Sequence, residues 1–205
     1  MRSLWQKLRR RVQDVVHRFY WDTRDALARA PRPAEPSAAP VGVLFVCFGN
    51  SCRSPVAEAL LRAKLARAGL AGRFTVDSAG TRWWNIGRRP HWRARAWVVR
   101  HGLTIAHRRA RRFSPSDFQR FDHIFVMEER NRRDVLAMAA GPGDAARVRL
   151  LAGSSGGGEI PDPVDGDAAD FERVFQQIDQ ACERVVTDLS REVPRLPGAS
   201  ATPAF

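Results

Sequence analysis

The residues with the clearest chemical potential lie in the run CFGNSCRSP, which begins at Cys47 and ends at Pro55. Five residues separate Cys47 from Arg53, but this spacing alone is weak evidence because arginine is frequent throughout the chain. Residues 41–47 are continuously apolar, which is typical of a strand buried on both faces. A helix is predicted over 54–68, with Ser54 as its N-cap and Pro55 in its first turn. The sequence thus predicts a strand, a loop and a helix in succession.

This arrangement is suited to binding a phosphate group. A phosphate dianion is stabilised by converging backbone N–H groups and by the positive end of a helix. The same field stabilises a thiolate, so we expect Cys47 to be a nucleophile near neutral pH. Arg53 can bind two phosphate oxygens through its planar guanidinium group. Ser54 can donate a hydrogen bond to the Cys47 sulfur, which makes that sulfur a better leaving group. The alternative is a buried structural cysteine followed by an ordinary helix.

The elements that must position this loop alternate along the chain between strands and helices. We predict strands at 41–47, 73–77, 123–127 and 148–151, and helices at 54–68, 91–100, 128–138 and 170–189. Such alternation predicts an α/β fold, with helices on both faces of a parallel sheet. Four regions follow from composition: a basic amphipathic helical extension (1–29), a Pro/Ala-rich linker (30–40), one core domain (41–192) and a tail predicted to be disordered (193–205).

The charge of the chain is strongly positive, with a formal net charge of +12 over 205 residues. Nearly all of the cations are arginines, since Lys7 and Lys64 are the only lysines, which indicates a compositional bias rather than a dedicated nucleic-acid surface. No nucleic acid is therefore expected as a partner. Residues 82–112 contain ten arginines and no acidic residue. That segment favours anionic or phosphorylated partners.

The cysteines and the N-terminal residues indicate the cellular compartment. Three unevenly spaced cysteines do not form a disulfide framework, so we expect a reducing, cytoplasmic setting. No apolar run approaches the roughly 18 residues that a transmembrane helix needs. The extension 1–29 could pack on a protein partner or on its own core, which we prefer, or lie on an anionic membrane surface.

The run LFVCFGNSCRSPVAEALL resembles the signature of low-molecular-weight protein tyrosine phosphatases. The resemblance continues through DSAGT at 77–81, WNIG at 84–87, HG at 101–102, DF and FD within 117–122, IPDP at 160–163 and DFE at 170–172. It implies a single-domain four-stranded parallel sheet with the phosphate loop after the first strand. It also implies hydrolysis of a phosphorylated protein in two steps through a cysteinyl-phosphate, without a metal or another cofactor.

The resemblance also implies roles for individual residues. Asp162 matches the general acid and base of the family. The phosphate-binding loop comprises Phe48, Gly49, Asn50, Ser51, Cys52 and Ser54. In relatives, the residue matching Asn50 is held by residues that match Ser78 and His107. Cys52 matches a loop cysteine that could form a reversible disulfide with Cys47, although a packed free thiol is the alternative.

Departures from the family pattern affect substrate recognition. Val164 and Asp165 stand where phosphotyrosine-specific relatives usually have aromatic residues, so Trp84 supplies one wall of the pocket and Val164 replaces the other. Ser51 provides a hydroxyl, as in protein-arginine phosphatases of the same family. The sequence therefore predicts a phosphotyrosine-type phosphatase. An arginine phosphatase, or a catalytically weak phospho-binding module, is the alternative; an arsenate reductase is less favoured because Cys182 is the only cysteine left for a redox relay.

Overall fold

The protein contains a parallel sheet of four strands in the order β2-β1-β3-β4. This computed structural model describes residues 39–155 and 158–192. The strands are β1 (Val41–Cys47), β2 (Phe74–Gly80), β3 (His123–Val126) and β4 (Val148–Leu150). The predicted α/β class and single-domain four-stranded parallel sheet are confirmed.

Strand β1 lies at the centre of the sheet and explains why its sequence is continuously apolar. It pairs in parallel with β2 on one side and with β3 on the other. Successive side chains of a strand point to opposite faces. Val43 and Phe45 accordingly pack in one hydrophobic cluster, whereas Leu44 and Val46 pack in a second cluster. Because both faces of β1 are buried in these clusters, apolar residues are needed at successive positions along the strand.

Six α-helices cover the two faces of the sheet within the described residues. They are α1 (Arg53–Arg67), α2 (Trp92–Arg100), α3 (Asp117–Arg120), α4 (Glu129–Leu136), α5 (Pro142–Ala146) and α6 (Ala168–Glu192). Helices α1, α2 and α6 contribute apolar residues to the cluster around Phe45. Helices α3 and α4 contribute to the cluster around Val46. Two short 3-10 segments, Ala71–Arg73 and Ala152–Ser155, complete the connections.

Several boundaries differ from those predicted. Strand β1 matches 41–47, but α1 begins at Arg53 with Cys52 as its N-cap, so the prediction of Ser54 as N-cap is wrong. The reason is that the Ser54 hydroxyl contacts Cys47, Asn50 and Ala79 instead of a backbone N–H group of the first turn. Strand β2 extends to Gly80 because it pairs with β1 as far as Cys47.

The predictions for both ends of the chain lie largely outside the described residues. They concern the helical extension (1–29), most of the linker (30–40) and the tail (193–205). In the part of the chain that the structure describes, no helix combines the length and the apolar character needed to cross a membrane.

Candidate active site

The site forms where the carboxyl ends of β1 and β3 diverge. From β1 the chain passes to β2 on one side of the sheet and then returns to β3 on the other side. In an open parallel sheet, such a reversal leaves a crevice beyond the carboxyl ends of the two strands, and ligands bind there. Cys47 ends β1, and Glu128 follows β3 by two residues. The fold thus brings the reactive loop to the crevice.

The loop after Cys47 is packed tightly and is partly strained. Asn50 has a φ angle of 51°, a left-handed conformation that few residues other than glycine adopt, although asparagine tolerates it. Gly80 of β2 lies directly beneath the loop, because a Cβ atom there would come within 2.8 Å of the Asn50 backbone nitrogen. A glycine at position 80 is therefore required for the loop to reach β2.

The backbone of this loop presents unsatisfied hydrogen-bond donors. Among the described residues, none of the backbone N–H groups from Phe48 to Arg53 donates to a protein acceptor. Helix α1 begins at Arg53 and has no acidic side chain in its first turn. Unpaired donors and a helix N-terminus together favour a bound anion. The loop for which the sequence predicts phosphate binding therefore has free donors and a helix N-terminus, and its binding of phosphate stays a prediction.

The Cys47 side chain lies beneath this loop and is almost completely buried, with 2% of its surface exposed. Its Sγ atom is 3.1 Å from the Ser54 Oγ atom. Ser54 Oγ is also 3.1 Å from the carbonyl oxygen of Ala79 and accepts a hydrogen bond from Asn50 Nδ2 at 2.9 Å. Because the Asn50 donor occupies one lone pair, the single hydroxyl proton of Ser54 is left for the sulfur or for Ala79.

Arg53 is 1% exposed and bridges two carboxylates. Its Nη1 atom is 2.9 Å from Glu128 Oε2, and its Nη2 atom is 2.5 Å from Asp162 Oδ2. Burial tends to lower the pKa of this guanidinium, but the negative charges of Cys47, Asp162 and Glu128 outweigh burial and raise the pKa. The Nε atom has no hydrogen-bond partner in the described structure, which leaves a buried donor for a ligand.

The segment IPDP at 160–163 brings Asp162 over the loop. The Ile160 N–H donates to the carbonyl oxygen of Met127 at 2.8 Å, and the Ile160 carbonyl accepts from Arg53 Nη1 at 2.9 Å. Both bonds attach this segment to the end of β3 and to the start of α1. Asp162 is held beside Arg53 with 21% of its side chain exposed. A carboxyl group here can reach both solvent and a bound substrate.

A buried network holds Asn50 from behind. Asn50 Nδ2 donates to Ser78 Oγ at 3.0 Å, and Ser78 Oγ donates to Glu58 Oε2 at 2.9 Å. Asn50 Oδ1 accepts from the backbone N–H of Arg111 at 2.9 Å. Burial raises the pKa of Glu58, although Arg108 and Ser78 partly oppose this effect. The predicted supporting position of Ser78 agrees with these contacts.

The supporting position predicted for His107 is wrong. His107 is exposed, and the hydrogen-bond partners of Asn50 are Ser54, Ser78 and Arg111. The next residue, Arg108, supports the network without contacting Asn50: its Nη2 atom lies 2.7 Å from Glu58 Oε2 and also pairs with Asp77. Two facing carboxylates require a cation between them, and the guanidinium group of the next residue supplies it.

The mouth of the site is lined by aromatic and cationic side chains. The Phe48 ring lies 5.3 Å from the Trp84 ring, and Asn85 Nδ2 donates to the Gly49 carbonyl oxygen at 3.2 Å. Trp84 therefore stands beside the loop, and its role as a pocket wall stays a prediction. Val164 is 45% exposed. The guanidinium carbon of Arg130 lies 4.5 Å from the centre of the Phe48 ring.

The other two residues of the loop differ in exposure. The Ser51 carbonyl oxygen accepts from the His91 N–H at 2.8 Å, and the Ser51 hydroxyl lies 3.9 Å from Cys52 Sγ. Cys52 is a free, buried thiol. Burial, followed by the neighbouring charge of Cys47, raises the pKa of Cys52 to about 12. A disulfide between Cys47 and Cys52 stays a prediction.

Some residues of the site were missed by sequence reasoning. Arg130 and Arg82 carry no sequence signal, because arginine is common in this chain. Glu128 is a further residue of the site through its ion pair with Arg53, at 2.9 Å. Within the described residues, no group of three or more His, Cys, Asp or Glu side chains is arranged to hold a metal ion.

Comparisons with known proteins agree with this geometry. A family model described as low molecular weight phosphotyrosine protein phosphatase matches residues 42–195. The chain is 36% identical over 154 residues to the Bacillus subtilis low molecular weight protein-tyrosine-phosphatase YfkJ, covering 74% of this chain and 97% of that protein. It is 38% identical over 143 residues to the Homo sapiens low molecular weight phosphotyrosine protein phosphatase, covering 68% of this chain and 90% of the human protein.

Solved structures show the same similarity. The crystal structure of YfkJ from Bacillus subtilis aligns with a TM-score of 0.72 at 34% identity, covering 77% of this chain and 99% of that one. A Drosophila arginine phosphatase aligns with a TM-score of 0.67 at 35% identity, covering 72% of this chain and 97% of that one. Since the family model spans nearly all of the described residues, including the loop and Asp162, the chain belongs to the low-molecular-weight phosphotyrosine protein phosphatase family.

Proposed function

We propose that the protein hydrolyses phosphotyrosine-type phosphomonoesters of protein substrates, with Cys47 as the nucleophile. The observation that carries this proposal is the position of the Cys47 sulfur under a loop whose N–H groups have no acceptor among the described residues. These donors, with the Nε atom of Arg53, supply hydrogen bonds for the equatorial oxygens of a phosphoryl group. Stabilisation of charge that develops in the transition state is usually the largest contribution to such a reaction.

The reaction proceeds in two steps. In the first, the Cys47 thiolate forms a bond to phosphorus, the bond between phosphorus and the phenolic oxygen breaks, and that oxygen takes the proton of Asp162. In the second, water attacks phosphorus and gives its proton to Asp162 while the bond between sulfur and phosphorus breaks. Ser54, 3.1 Å from the sulfur, donates to the departing thiolate. Inorganic phosphate is released and Cys47 is regenerated.

The pairing of Arg53 with Asp162 requires a rearrangement when substrate binds. Without substrate, Arg53 Nη2 is 2.5 Å from Asp162 Oδ2. A phosphate dianion competes for the same guanidinium group, so its binding releases Asp162 and brings a like charge near it. Release from Arg53 leaves the Asp162 carboxyl group free to contact the leaving oxygen in the first step. Glu128 stays paired with Arg53 Nη1 and orients the guanidinium plane toward the loop.

Two substitutions test the catalytic roles with phosphotyrosine peptide as substrate. Cys47→Ser abolishes turnover but retains phosphate binding, and Cys182→Ser, at a buried cysteine far along the chain in α6, is the matched control. Asp162→Asn lowers kcat by about 100-fold or more, because general acid catalysis contributes roughly that much. Asp165→Asn, an exposed residue of the same segment, is its control. Turnover by the Cys47→Ser variant, or wild-type phosphate binding without turnover, contradicts the proposal; the second result indicates a phospho-binding module.

Arginine phosphatase activity is the second candidate. Ser51 places a hydroxyl in the loop, and the chain resembles a Drosophila arginine phosphatase at 35% identity. Arg130 opposes this candidate, because its Nη2 atom is 3.7 Å from Asp162 Oδ2, where the guanidinium of phosphoarginine would need a carboxylate. We therefore expect a higher kcat/KM for phosphotyrosine than for phosphoarginine peptides. The reverse order, with Ser51→Ile removing the phosphoarginine activity, favours the second candidate.

We also propose a reducing, cytoplasmic setting, since the nucleophile must be a free thiol and all three cysteines are free in this structure. A protein partner or an anionic membrane surface for residues 1–29 stays a prediction from the sequence. Phosphorylated proteins are the substrates that the family implies.

A further inference from the structure

Two arginines flank Phe48 at the mouth of the phosphate pocket. The guanidinium carbon of Arg130 lies 4.5 Å from the centre of the Phe48 ring, and that of Arg82 lies 5.3 Å from it. We call this pair the arginine rim. The side chains of Arg82 and Arg130 are 38% and 43% exposed, so a bound peptide can reach both.

The rim retains hydrogen-bonding capacity for an incoming anion. Arg82 pairs with Asp134 through Nη2 alone, at 3.1 Å. Arg130 uses Nε toward Glu128 at 2.7 Å and Nη2 toward Asp162 at 3.7 Å. Each guanidinium has five N–H donors. The remaining donors of both arginines, including Nη1 of each, have no acceptor among the described residues.

Contact with Phe48 keeps these cations where a substrate must pass. An aromatic face holds a guanidinium by cation–π attraction without consuming its N–H donors. Phe48 is fixed in turn, because it follows Cys47 in the loop and packs against Trp84 at 5.3 Å. The rim is therefore attached to the loop that binds the phosphate.

The surroundings of the rim add to its positive potential. The segment 82–112, which begins at Arg82, contains ten arginines and no acidic residue. Arg88 and Arg89 of this segment are exposed. Charges of one sign around a cleft raise the local concentration of ligands of the opposite sign. A peptide that carries carboxylates is accordingly attracted to this mouth, whereas a cationic peptide is repelled.

We propose that the arginine rim is a subsite for the carboxylate of an acidic residue adjacent to the phosphorylated residue, so that the enzyme selects acidic phosphopeptides. This inference rests on the proposed phosphatase function. Planar guanidinium groups suit carboxylates because two N–H donors can face the two oxygens. The rim also disfavours a phosphorylated side chain that is itself cationic.

Three phosphotyrosine peptides test the subsite. They are identical except that the residues on both sides of phosphotyrosine are aspartate, asparagine or lysine. The wild-type protein is expected to give the highest kcat/KM for the aspartate peptide and the lowest for the lysine peptide. Each exposed ion pair contributes about threefold. This preference is expected to shrink as salt is added, because exposed charges are screened.

Variants assign the preference to the rim. Arg130→Ala and Arg82→Ala each reduce the ratio of kcat/KM between the aspartate and asparagine peptides, and Arg130→Glu reverses the order of the aspartate and lysine peptides. Arg133→Ala removes one charge from an exposed position of the same helix and leaves the ratio at the wild-type value. Each comparison uses the ratio of kcat/KM between two peptides on the same variant. A general loss of activity therefore leaves the ratio unchanged.

The outcomes separate this inference from the proposed function. Turnover of the asparagine peptide with no difference among the three peptides overturns the subsite and leaves the phosphatase function intact. A preference that persists in both alanine variants also overturns it. Absence of turnover on all three peptides contradicts the phosphatase function. In that case the subsite is tested by binding: equal affinity of the Cys47→Ser variant for the three peptides overturns it.

Discussion

At the scale of single residues, two cysteines of one loop are equally buried but have different surroundings. Cys47 lies under unpaired backbone N–H groups, and its Sγ atom is 3.1 Å from the Ser54 hydroxyl oxygen. Cys52 is buried at the start of α1, where desolvation raises its pKa to about 12. Burial also raises the pKa of Cys182 in α6. A thiol is neutral below its pKa, so Cys52 and Cys182 are unreactive at neutral pH.

Alkylation with iodoacetamide at pH 7 is therefore expected to modify Cys47 first, in parallel with loss of activity. Cys52 and Cys182 stay unmodified. Raising the pH to 9 has little effect on Cys52, because pH 9 is still well below its pKa of about 12. Mass spectrometry of the digested protein measures modification at each cysteine. Denatured protein, in which all three thiols react, is the control. Modification of native Cys52 as rapid as that of Cys47 contradicts the expectation.

At the scale of elements, the loop geometry depends on side chains from α1, β2 and the segment before α3. Asn50 keeps its left-handed conformation because Ser54, Ser78 and the Arg111 backbone satisfy its side chain. Arg111 also pairs with Asp77 and Asp117. The left-handed conformation of Asn50 is thus maintained by contacts from three separate stretches of the chain.

Arg108→Ala is expected to weaken this support. It leaves the carboxylates of Glu58 and Asp77 without the cation between them, and Glu58 is only 3% exposed. We expect the free energy of unfolding to fall by about 1–3 kcal/mol, with weaker phosphate binding because Asn50 is less well held. Denaturant unfolding and phosphate titration measure the two effects.

Arg109→Ala is the matched control for Arg108, because Arg109 is exposed and donates only to nearby backbone carbonyls. Arg108→Lys should restore part of the stability, since it retains the charge but not the two-sided geometry. Equal stability of the Arg108→Ala variant and the wild type would show that the guanidinium does not support the loop.

An element can be predicted from the sequence when its pattern lies within its own residues, and not when it depends on distant ones. The strand 41–47 was predicted at its observed bounds because burial on both faces leaves an uninterrupted apolar run. Helices α3 and α5, of 4 and 5 residues, were not predicted because they are too short to show helical periodicity. The supporting position of Arg108 depends on Glu58 and Asp77, which are distant in sequence, so no local pattern could reveal it.

At the scale of the whole molecule, one topological feature assembles the site. The chain reverses direction across the sheet between β2 and β3, so the loop after β1 and the residues after β3 share one crevice. Arg53 connects these parts, since it contacts Glu128 after β3 and both Ile160 and Asp162 of the IPDP segment. A ligand bound to Arg53 therefore connects three stretches of the chain that are distant in sequence. We expect its binding to stabilise the whole fold.

Inorganic phosphate is accordingly expected to raise the melting temperature of the Cys47→Ser variant, which binds the ion without turnover. A ligand at about 100 times its Kd adds roughly 2.7 kcal/mol to the free energy of unfolding. For a domain of this size, that corresponds to a rise of about 5–10 °C. Arg53→Lys in the same background should lose most of the rise, because an ammonium group cannot match the planar fork of Arg53. Arg133→Lys controls for the substitution, and chloride at equal ionic strength controls for salt. A phosphate-induced rise that survives Arg53→Lys unchanged would place the anion elsewhere in the protein.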